Sequence, residues 1–229
     1  MSYARKMAAI LCLDFDDTVV VDNTARQIFK RFAAPGWLEH ETAYKAGQIS
    51  VEQFNAAAMD LVGASEDEVR AFVREVARPR EGLLELTDWA HWHGWLTVVV
   101  SNGFDIYVDT VLDDLGLDRV ARHTGRARFL YRWRVTYLSP RGVEIEDGFK
   151  LSYAAAFKGA GDFVVYVGDG ESDVAAARQA PVVFARDTLL TRLGDEHPAI
   201  FPFETFHDVV AVLDREGEGW LAGAAGGGR

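Results

Sequence analysis

Cysteine is almost absent: Cys12 is the only one in 229 residues. No intrachain disulfide and no cysteine-rich metal centre can be built from a single thiol. It lies inside an apolar run, where a buried, inert role is expected. Basic charge is also short. Lys and Arg number 24 against 35 Asp and Glu, a net charge of −11, which weighs against nucleic acid or an anionic membrane as a partner. No apolar stretch is long enough to cross a bilayer. The run nearest the N-terminus leads straight into Asp14 with no small-residue cleavage site, so no signal peptide is expected. No internal repeat is visible. Apolar residues are plentiful, at 49%, and the length suits one domain with an insertion or two small domains.

The chain is organised around Asp14-Phe15-Asp16-Asp17-Thr18. These residues end the run Ala8 to Leu13, which reads as a buried strand of a parallel sheet. Ligands of open α/β sheets bind beyond the carboxyl ends of the strands. In a strand leaving the sheet, Asp14 and Asp16 would share a face with Phe15 opposite. Two carboxylates so close repel unless a cation lies between them or one holds a proton. Magnesium, a hard ion that takes oxygen ligands, would relieve the repulsion. The plainer alternative is a polar loop after a strand.

Residues 1–7 read as a loose start. From Thr24 to about Ala77 the apolar spacing turns helical, with a break at Pro35-Gly36. Ser50 with Gln53, and Ser65 with Glu68, have the form of capping boxes that open helices. Four helices without a strand form a small unit inserted after the first strand. The expected division is a catalytic core over 1–20 and 80–215, the helical unit over 21–79 and a flexible tail over 216–229. Leu96 to Val100, Phe163 to Val167 and Val182 to Phe184 read as further strands, alternating with helices as in a doubly wound α/β sheet. The last helix is expected from Phe206 to Leu213. Its Gly- and Ala-rich continuation is expected to be disordered, except around Trp220.

Residues 119–141 hold seven arginines and no acid. Phe129, Tyr131, Trp133, Val135 and Tyr137 alternate with the polar set, which predicts a strand or hairpin with an apolar face and an arginine face. Ser139-Pro140-Arg141-Gly142 has the residues of a β-turn. A solvated edge face that blocks unwanted pairing is favoured over a subunit contact in a homodimer or attraction of an anion.

Three strands thus end in polar groups: Asp14 and Asp16, Ser101 and Asn102, Asp169 and Asp173. Lys150 opens the helix before the third. Aspartates can hold a magnesium ion, while a serine hydroxyl, backbone amides and an ammonium can hold a phosphoryl group. A carboxylate such as Asp14 can attack phosphorus. Asp16 can protonate the leaving oxygen and then activate water. Lys150 can hold Asp14 in line and offset charge, and phosphoryl transfer rests mainly on such positioning. Each part alone is an ordinary turn or surface residue; their order along the chain is what makes the set informative.

These motifs resemble those of the haloacid dehalogenase superfamily of phosphatases. Asp14 to Thr18 matches its first motif, Ser101-Asn102-Gly103-Phe104-Asp105 its second, Lys150 its third and Gly168 to Asp173 its fourth. The resemblance implies a Rossmann-like core with a helical cap, Asp14 as nucleophile and Asp16 as general acid/base. It also implies Mg²⁺ held by the side chains of Asp14 and Asp169 and the carbonyl of Asp16, with Asp173 supporting metal and lysine. Thr18, Asn23, Ser101, Asn102, Gly103 and Ser172 are expected around the phosphate and substrate. The chain looks most like the phosphoserine-phosphatase-like branch. Phe184 to Leu190 and Pro35-Gly36-Trp37 are closer to the methionine-salvage phosphatases acting on 2-hydroxy-3-keto-5-methylthiopentenyl 1-phosphate. It departs from the latter in lacking their cysteine-rich segment, and from phosphoserine phosphatases in Ser172, which replaces an asparagine.

The leading expectation is a cytoplasmic, magnesium-dependent phosphomonoesterase acting on a small phosphorylated metabolite. A dehalogenase of the same fold has no need of Asp16, and a silent binding protein has no need of every catalytic position. Phosphoserine phosphatases receive the substrate ammonium on a glutamate nine residues after the nucleophile, where this chain has Asn23. Their carboxylate-gripping arginine corresponds to Ala56. An enol or polyol phosphate is therefore expected to suit this chain better, unless Arg26 or Lys30 supplies a rearranged clamp.

Overall fold

The computed structural model describes residues 5–194 and 196–226. Eight strands form one mixed sheet in the order β5-β4-β3-β2-β1-β6-β7-β8. β1 (Ala9–Leu13) lies at its centre, paired in parallel with β2 (Leu96–Phe104) and β6 (Phe163–Gly168). β7 (Val182–Ala185) and β8 (Ile200–Pro202) extend the parallel part on one side, and β3 (Ala121–Phe129) on the other. β4 (Trp133–Leu138) and β5 (Glu144–Ile145) add an antiparallel edge. The central strands read as continuous apolar runs because both faces are covered. Leu11 and Leu13 point into one core, Ile10 and Cys12 into the other.

Four helices stand between β1 and β2 before the chain returns to the core: α1 (Thr24–Phe32), α2 (Trp37–Lys45), α3 (Val51–Asp60) and α4 (Glu66–Val76). Both expected capping boxes are formed, at Ser50 with Gln53 and at Ser65 with Glu68. The chain leaves and re-enters the core side by side. Val20 bridges Pro79, Val21 N donates to Arg78 O at 2.9 Å, Arg80 N donates to Val19 O at 2.8 Å, and Arg78 pairs with Asp22. α5 (Leu83–Trp92), α6 (Asp105–Asp114) and α10 (Phe206–Gly226) cover one sheet face. α7 (Phe149–Gly159), α8 (Val174–Ala177) and α9 (Asp187–Leu193) cover the other.

Several expectations need correction. The last helix does not stop at Leu213; it runs to Gly226, so 216–226 are not disordered. Gly217 gives it a surface that lies against Trp89 and Trp95, and Trp220 packs on Phe201 at 5.7 Å between ring centroids. The remaining tail residues, 227–229, lie outside the described residues, as do 1–4 of the expected loose start. Arg5 is tied to Asp162 at 2.9 Å. Tyr131 is not on the apolar face: the hairpin pairs Phe129 with Trp133, so Tyr131 sits at its tip and is 99% exposed. Trp133 and Tyr137 are buried as expected. The arginine face is partly neutralised by acids, through Arg122 with Asp109 and Asp113, Arg128 with Asp105, and Arg132 with Asp60. The turn at Ser139 closes as expected, with Gly142 N donating to Ser139 O at 2.8 Å. Neither α9 nor β8 was anticipated.

Candidate active site

β1 delivers Asp14, 5% exposed, with its amide donating to Val167 O at 2.9 Å. The strand ends at Leu13, so strand alternation does not place Asp16. A tight turn over Phe15 to Val19 does, closed by Val20 N donating to Phe15 O at 3.0 Å, with Asp17 at φ +60°. Aspartate tolerates that left-handed conformation better than most residues. The turn brings Asp16 into the cavity that Asp14 also lines. Its Oδ1 accepts from Thr24 N at 2.6 Å, and its Oδ2 accepts from the Tyr107 hydroxyl.

β2 and β3 lose register between Val100 and Phe104, and Ser101 to Gly103 occupy that break. Ser101 Oγ accepts from Gly103 N at 3.0 Å. A Cβ on Gly103 would lie 1.8 Å from the Tyr107 hydroxyl oxygen and 3.0 Å from Asp16 Oδ2. Glycine is what allows Tyr107 to reach Asp16 across this strand.

Lys150, at the start of α7, is 4% exposed. Its Nζ lies 2.7 Å from Asp14 Oδ1, 2.7 Å from Asp173 Oδ1 and 3.2 Å from Ser172 Oγ. Asp173 is fully buried and its carboxylate is heavily used. Oδ1 also accepts from the Tyr166 hydroxyl at 2.6 Å, and Oδ2 accepts from Asp169 N at 3.2 Å and Gly170 N at 2.9 Å.

Asp14, Asp169 and Asp173 each bring a carboxylate oxygen within 4.8 Å of the others. An all-oxygen donor set suits a hard divalent ion such as Mg²⁺. Because Asp173 already accepts four bonds, Asp14 and Asp169 are the better placed direct ligands, with Asp173 behind them. Asp16 is outside this group, and its carboxylate oxygens face Thr24 N and the Tyr107 hydroxyl.

Burial and the neighbouring Asp173 charge push the Asp14 carboxyl well up, with Lys150 opposing them. Burial raises Asp16 to about 6 despite its Tyr107 and Thr24 bonds. Burial and Asp173 raise Asp169 to about 7. Burial works against the charged Lys150, but Asp14 and Asp173 together outweigh it and hold its pKa above the usual lysine range. The pocket therefore holds too much negative charge for one lysine, which is the condition a divalent cation relieves.

Asp14, Asp16, Asn23, Ser101, Asn102, Gly103, Lys150, Asp169 and Ser172 all line one cavity of about 240 Å³. Thr18 does not. It is fully buried and its hydroxyl donates to Asp169 Oδ1 at 2.8 Å, so it orients that carboxylate instead of meeting phosphate. Asn23 lines the cavity but is occupied: it caps α1 by accepting from Arg26 N at 2.8 Å and donates to Asp17 Oδ2 at 3.1 Å.

Sequence reasoning missed the supporting residues. Arg80, 7% exposed, donates to the carbonyls of Thr18 at 2.7 Å and Glu204 at 3.0 Å, and to that of Asp17. Tyr107 and Tyr166 hold the two aspartates named above. Glu52 and Asn55 reach Asn102 from α3. None of them left a local signal; Tyr107 lies in the first turn of α6, just past the second motif.

The profile of the haloacid dehalogenase-like hydrolases matches residues 11–178. The chain belongs to that family. Among curated relatives, this haloacid dehalogenase-like hydrolase is 28% identical over 205 residues to a 2-hydroxy-3-keto-5-methylthiopentenyl-1-phosphate phosphatase of Bacillus thuringiensis subsp. konkukian (strain 97-27), covering 87% of this chain and 93% of that protein. It is 29% identical over the same span to the protein of that name from Bacillus cereus (strain AH820). Its fold is similar to that of a phosphoserine phosphatase solved as a phospho-aspartyl intermediate analogue, with a TM-score of 0.68 at 20% identity, over 90% of this chain and 99% of that one. A substrate-bound phosphoserine phosphatase complex gives 0.67 at 20% identity, over 91% and 99%.

Proposed function

We propose that this haloacid dehalogenase-like hydrolase is a magnesium-dependent phosphomonoesterase that works through an aspartyl-phosphate on Asp14. The observation that carries the reading is the contact of Lys150 with Asp14 at 2.7 Å on a cavity that Ser101 and Asp16 also line. An Asp14 oxygen attacks phosphorus and the bond to the leaving oxygen breaks. Asp16, raised to about 6, gives that oxygen its proton. Asp16 then takes a proton from water, the water oxygen attacks phosphorus, and Asp14 is released with inorganic phosphate. Lys150 keeps the attacking carboxylate in place and Ser101 meets the phosphoryl oxygens. Bound Mg²⁺ on Asp14 and Asp169 supplies charge neutralisation for the transferring group. Helices α1 to α4 serve as the cap over this cavity, and the single buried thiol of Cys12 agrees with a cytoplasmic setting.

The leaving group is an enol or polyol in preference to an amino acid. Asn23 is committed to its helix cap, and Ala56 lies on a separate depression that Glu52 and Tyr137 also line. Lys30 belongs to another depression. Phe29, Tyr44, Val51 and Phe54 give the cavity an apolar wall, with the Tyr44 and Phe54 rings stacked at 5.4 Å. A methylthio-enol phosphate, as named for the Bacillus relatives, fits such a wall. One observation favours phosphoserine instead: Arg26, Glu41 and Lys45 line the rim as a linked set, Glu41 lying 2.8 Å from Arg26 and 3.1 Å from Lys45. That set offers both signs of charge to a zwitterion. The test is kcat/KM with Mg²⁺ for phosphoserine against sugar, polyol and enol phosphates. Enol or polyol phosphates should lead; if phosphoserine leads, the substrate assignment fails, and if nothing releases phosphate, the phosphatase reading fails.

A further inference from the structure

Glu52 is the second residue of α3, and it is 2% exposed. Its Oε1 accepts two hydrogen bonds from the core, from Asn102 Nδ2 at 2.9 Å and from Phe149 N at 2.8 Å. Its Oε2 is buried without a partner among the described residues. A buried oxygen left unpaired costs stability, so the two bonds to Oε1 have to offset it. Both donors sit on buried residues, where leaving an N–H unpaired is itself costly. The second comes from the first residue of α7, an 11-residue helix whose N-terminus favours negative charge.

The two donors belong to two different parts of the catalytic set. Asn102 follows Ser101 in the broken register of β2. Phe149 precedes Lys150, whose ammonium holds Asp14. One carboxylate oxygen on an inserted helix therefore joins the serine segment to the lysine segment. Asn55 Nδ2 at 2.8 Å and the Tyr137 hydroxyl both donate to the Asn102 carbonyl, so the main chain there has its own support. Among the described residues no other α3 side chain bonds the first turn of α7 itself; Ser50 Oγ and Gln53 Nε2 hold Glu146, three residues ahead of it. We propose that Glu52 is a positioning residue: seated from α3, it sets the Asn102 side chain and the start of α7 together, and through Phe149 it places Lys150 on Asp14. The inference rests on the phosphatase reading for its kinetic consequence, but the link itself is a property of the fold.

The experiment compares wild type with Glu52→Ala, Glu52→Asp, Glu52→Gln and Ser65→Ala, using p-nitrophenyl phosphate turnover, melting temperature and amide hydrogen exchange at Phe149. Ser65 caps α4 and touches nothing in the site. Misplacing a catalytic group by about 1 Å can cost about 100-fold, so Glu52→Ala should lose on the order of 30- to 100-fold in kcat. KM should move by less than about threefold, because the main chain beside Ser101 keeps its own bonds from Asn55 and Tyr137. Glu52→Asp keeps the carboxyl group but withdraws the oxygen by one methylene. It should lose about tenfold on the same reasoning, and it decides the matter if the alanine variant fails to fold. Glu52→Gln keeps the Oε1 acceptor and should recover most of kcat. Ser65→Ala should lower the melting temperature and leave kcat alone. Phe149 amide protection should drop in the Ala and Asp variants only. Unchanged kcat in the Ala and Asp variants overturns the proposal, as does a kcat loss in Ser65→Ala matching theirs at equal destabilisation. If wild type itself is inactive, the phosphatase reading has failed, and the Phe149 exchange then decides the link alone: unchanged protection in the Ala and Asp variants overturns it.

Discussion

Replacing Lys150 with methionine keeps side-chain volume and removes the only cation in contact with Asp14 and Asp173 among the described residues. These carboxylates are 5% and 0% exposed, so water screens their pairing with the lysine only weakly. Breaking a buried pair by removing one partner costs about 3–5 kcal/mol. With a urea slope of about 2–3 kcal/mol/M for a chain of this size, the unfolding midpoint should fall by about 1–2.5 M. The loss must depend on pH. In the unfolded chain these aspartates titrate near their ordinary value of about 3.9. In the folded protein Asp14 is already raised, and without Lys150 it rises further. Between the two values the folded state binds more protons than the unfolded one, so stability falls as pH rises. The gap between variant and wild type should therefore be wide at pH 8 and narrower towards pH 4, where the folded Asp14 carboxyl, raised well above its ordinary value by burial and the Asp173 charge, takes up its proton. The assay is urea denaturation in EDTA at several pH values. A gap below about 1 kcal/mol at pH 8, against the buried-pair cost expected here, would refute the reasoning, as would a gap that does not change with pH.

Asp16→Asn should slow both half-reactions by ~100- to 10,000-fold, the usual contribution of general acid–base catalysis. The loss in aspartyl-phosphate formation should be smaller for p-nitrophenyl phosphate than for an alkyl phosphate; equal losses in rapid-quench measurements would remove Asp16 from the acid role. Mg²⁺ should raise the melting temperature more at pH 8 than at pH 5.5, because Asp169 titrates at about 7 and binds the ion only when ionised. EDTA should abolish turnover and Ca²⁺, with its longer bonds, should restore it poorly. Full activity in metal-stripped protein would contradict the site as drawn.

What could be read from the sequence was what is local. The apolar runs gave β1, β2 and β6, and Ser50 and Ser65 marked the starts of α3 and α4, because capping is decided within four residues. Asp14, Asp16, Asp169 and Lys150, which the fold brings to one cavity, were legible because each follows a strand or opens a helix. The residues that hold them were not. Glu52 meets Phe149 across 97 positions, and Arg80 meets Thr18 across 62, and no local pattern encodes such a pairing. Thr18 looked like a phosphate ligand because it closes the first motif; only the approach of Asp169 shows its hydroxyl to be spent. Tyr131 fitted a period-two stripe, but the hairpin turns just there. The tail looked unstructured from its glycines, yet α10 continues through them with Gly217 against Trp89 and Trp95.

The side-by-side crossing at Val20 and Pro79 has a mechanical consequence. A helical unit joined by one strand could swivel as on a ball joint. Here two antiparallel segments are laced by main-chain bonds at Val19, Val21, Arg78 and Arg80 and clasped by Arg78 with Asp22. A ribbon of that kind resists twisting and sliding, and α3 and α4 are tied to the core as well, through Glu52 and Asn55 to Asn102 and through Arg70 to Thr110. Arg80 anchors the returning segment to the carbonyls of Asp17 and Thr18. The four helices are therefore held at several separate points, and one of those points lies one residue from the turn that carries Asp16.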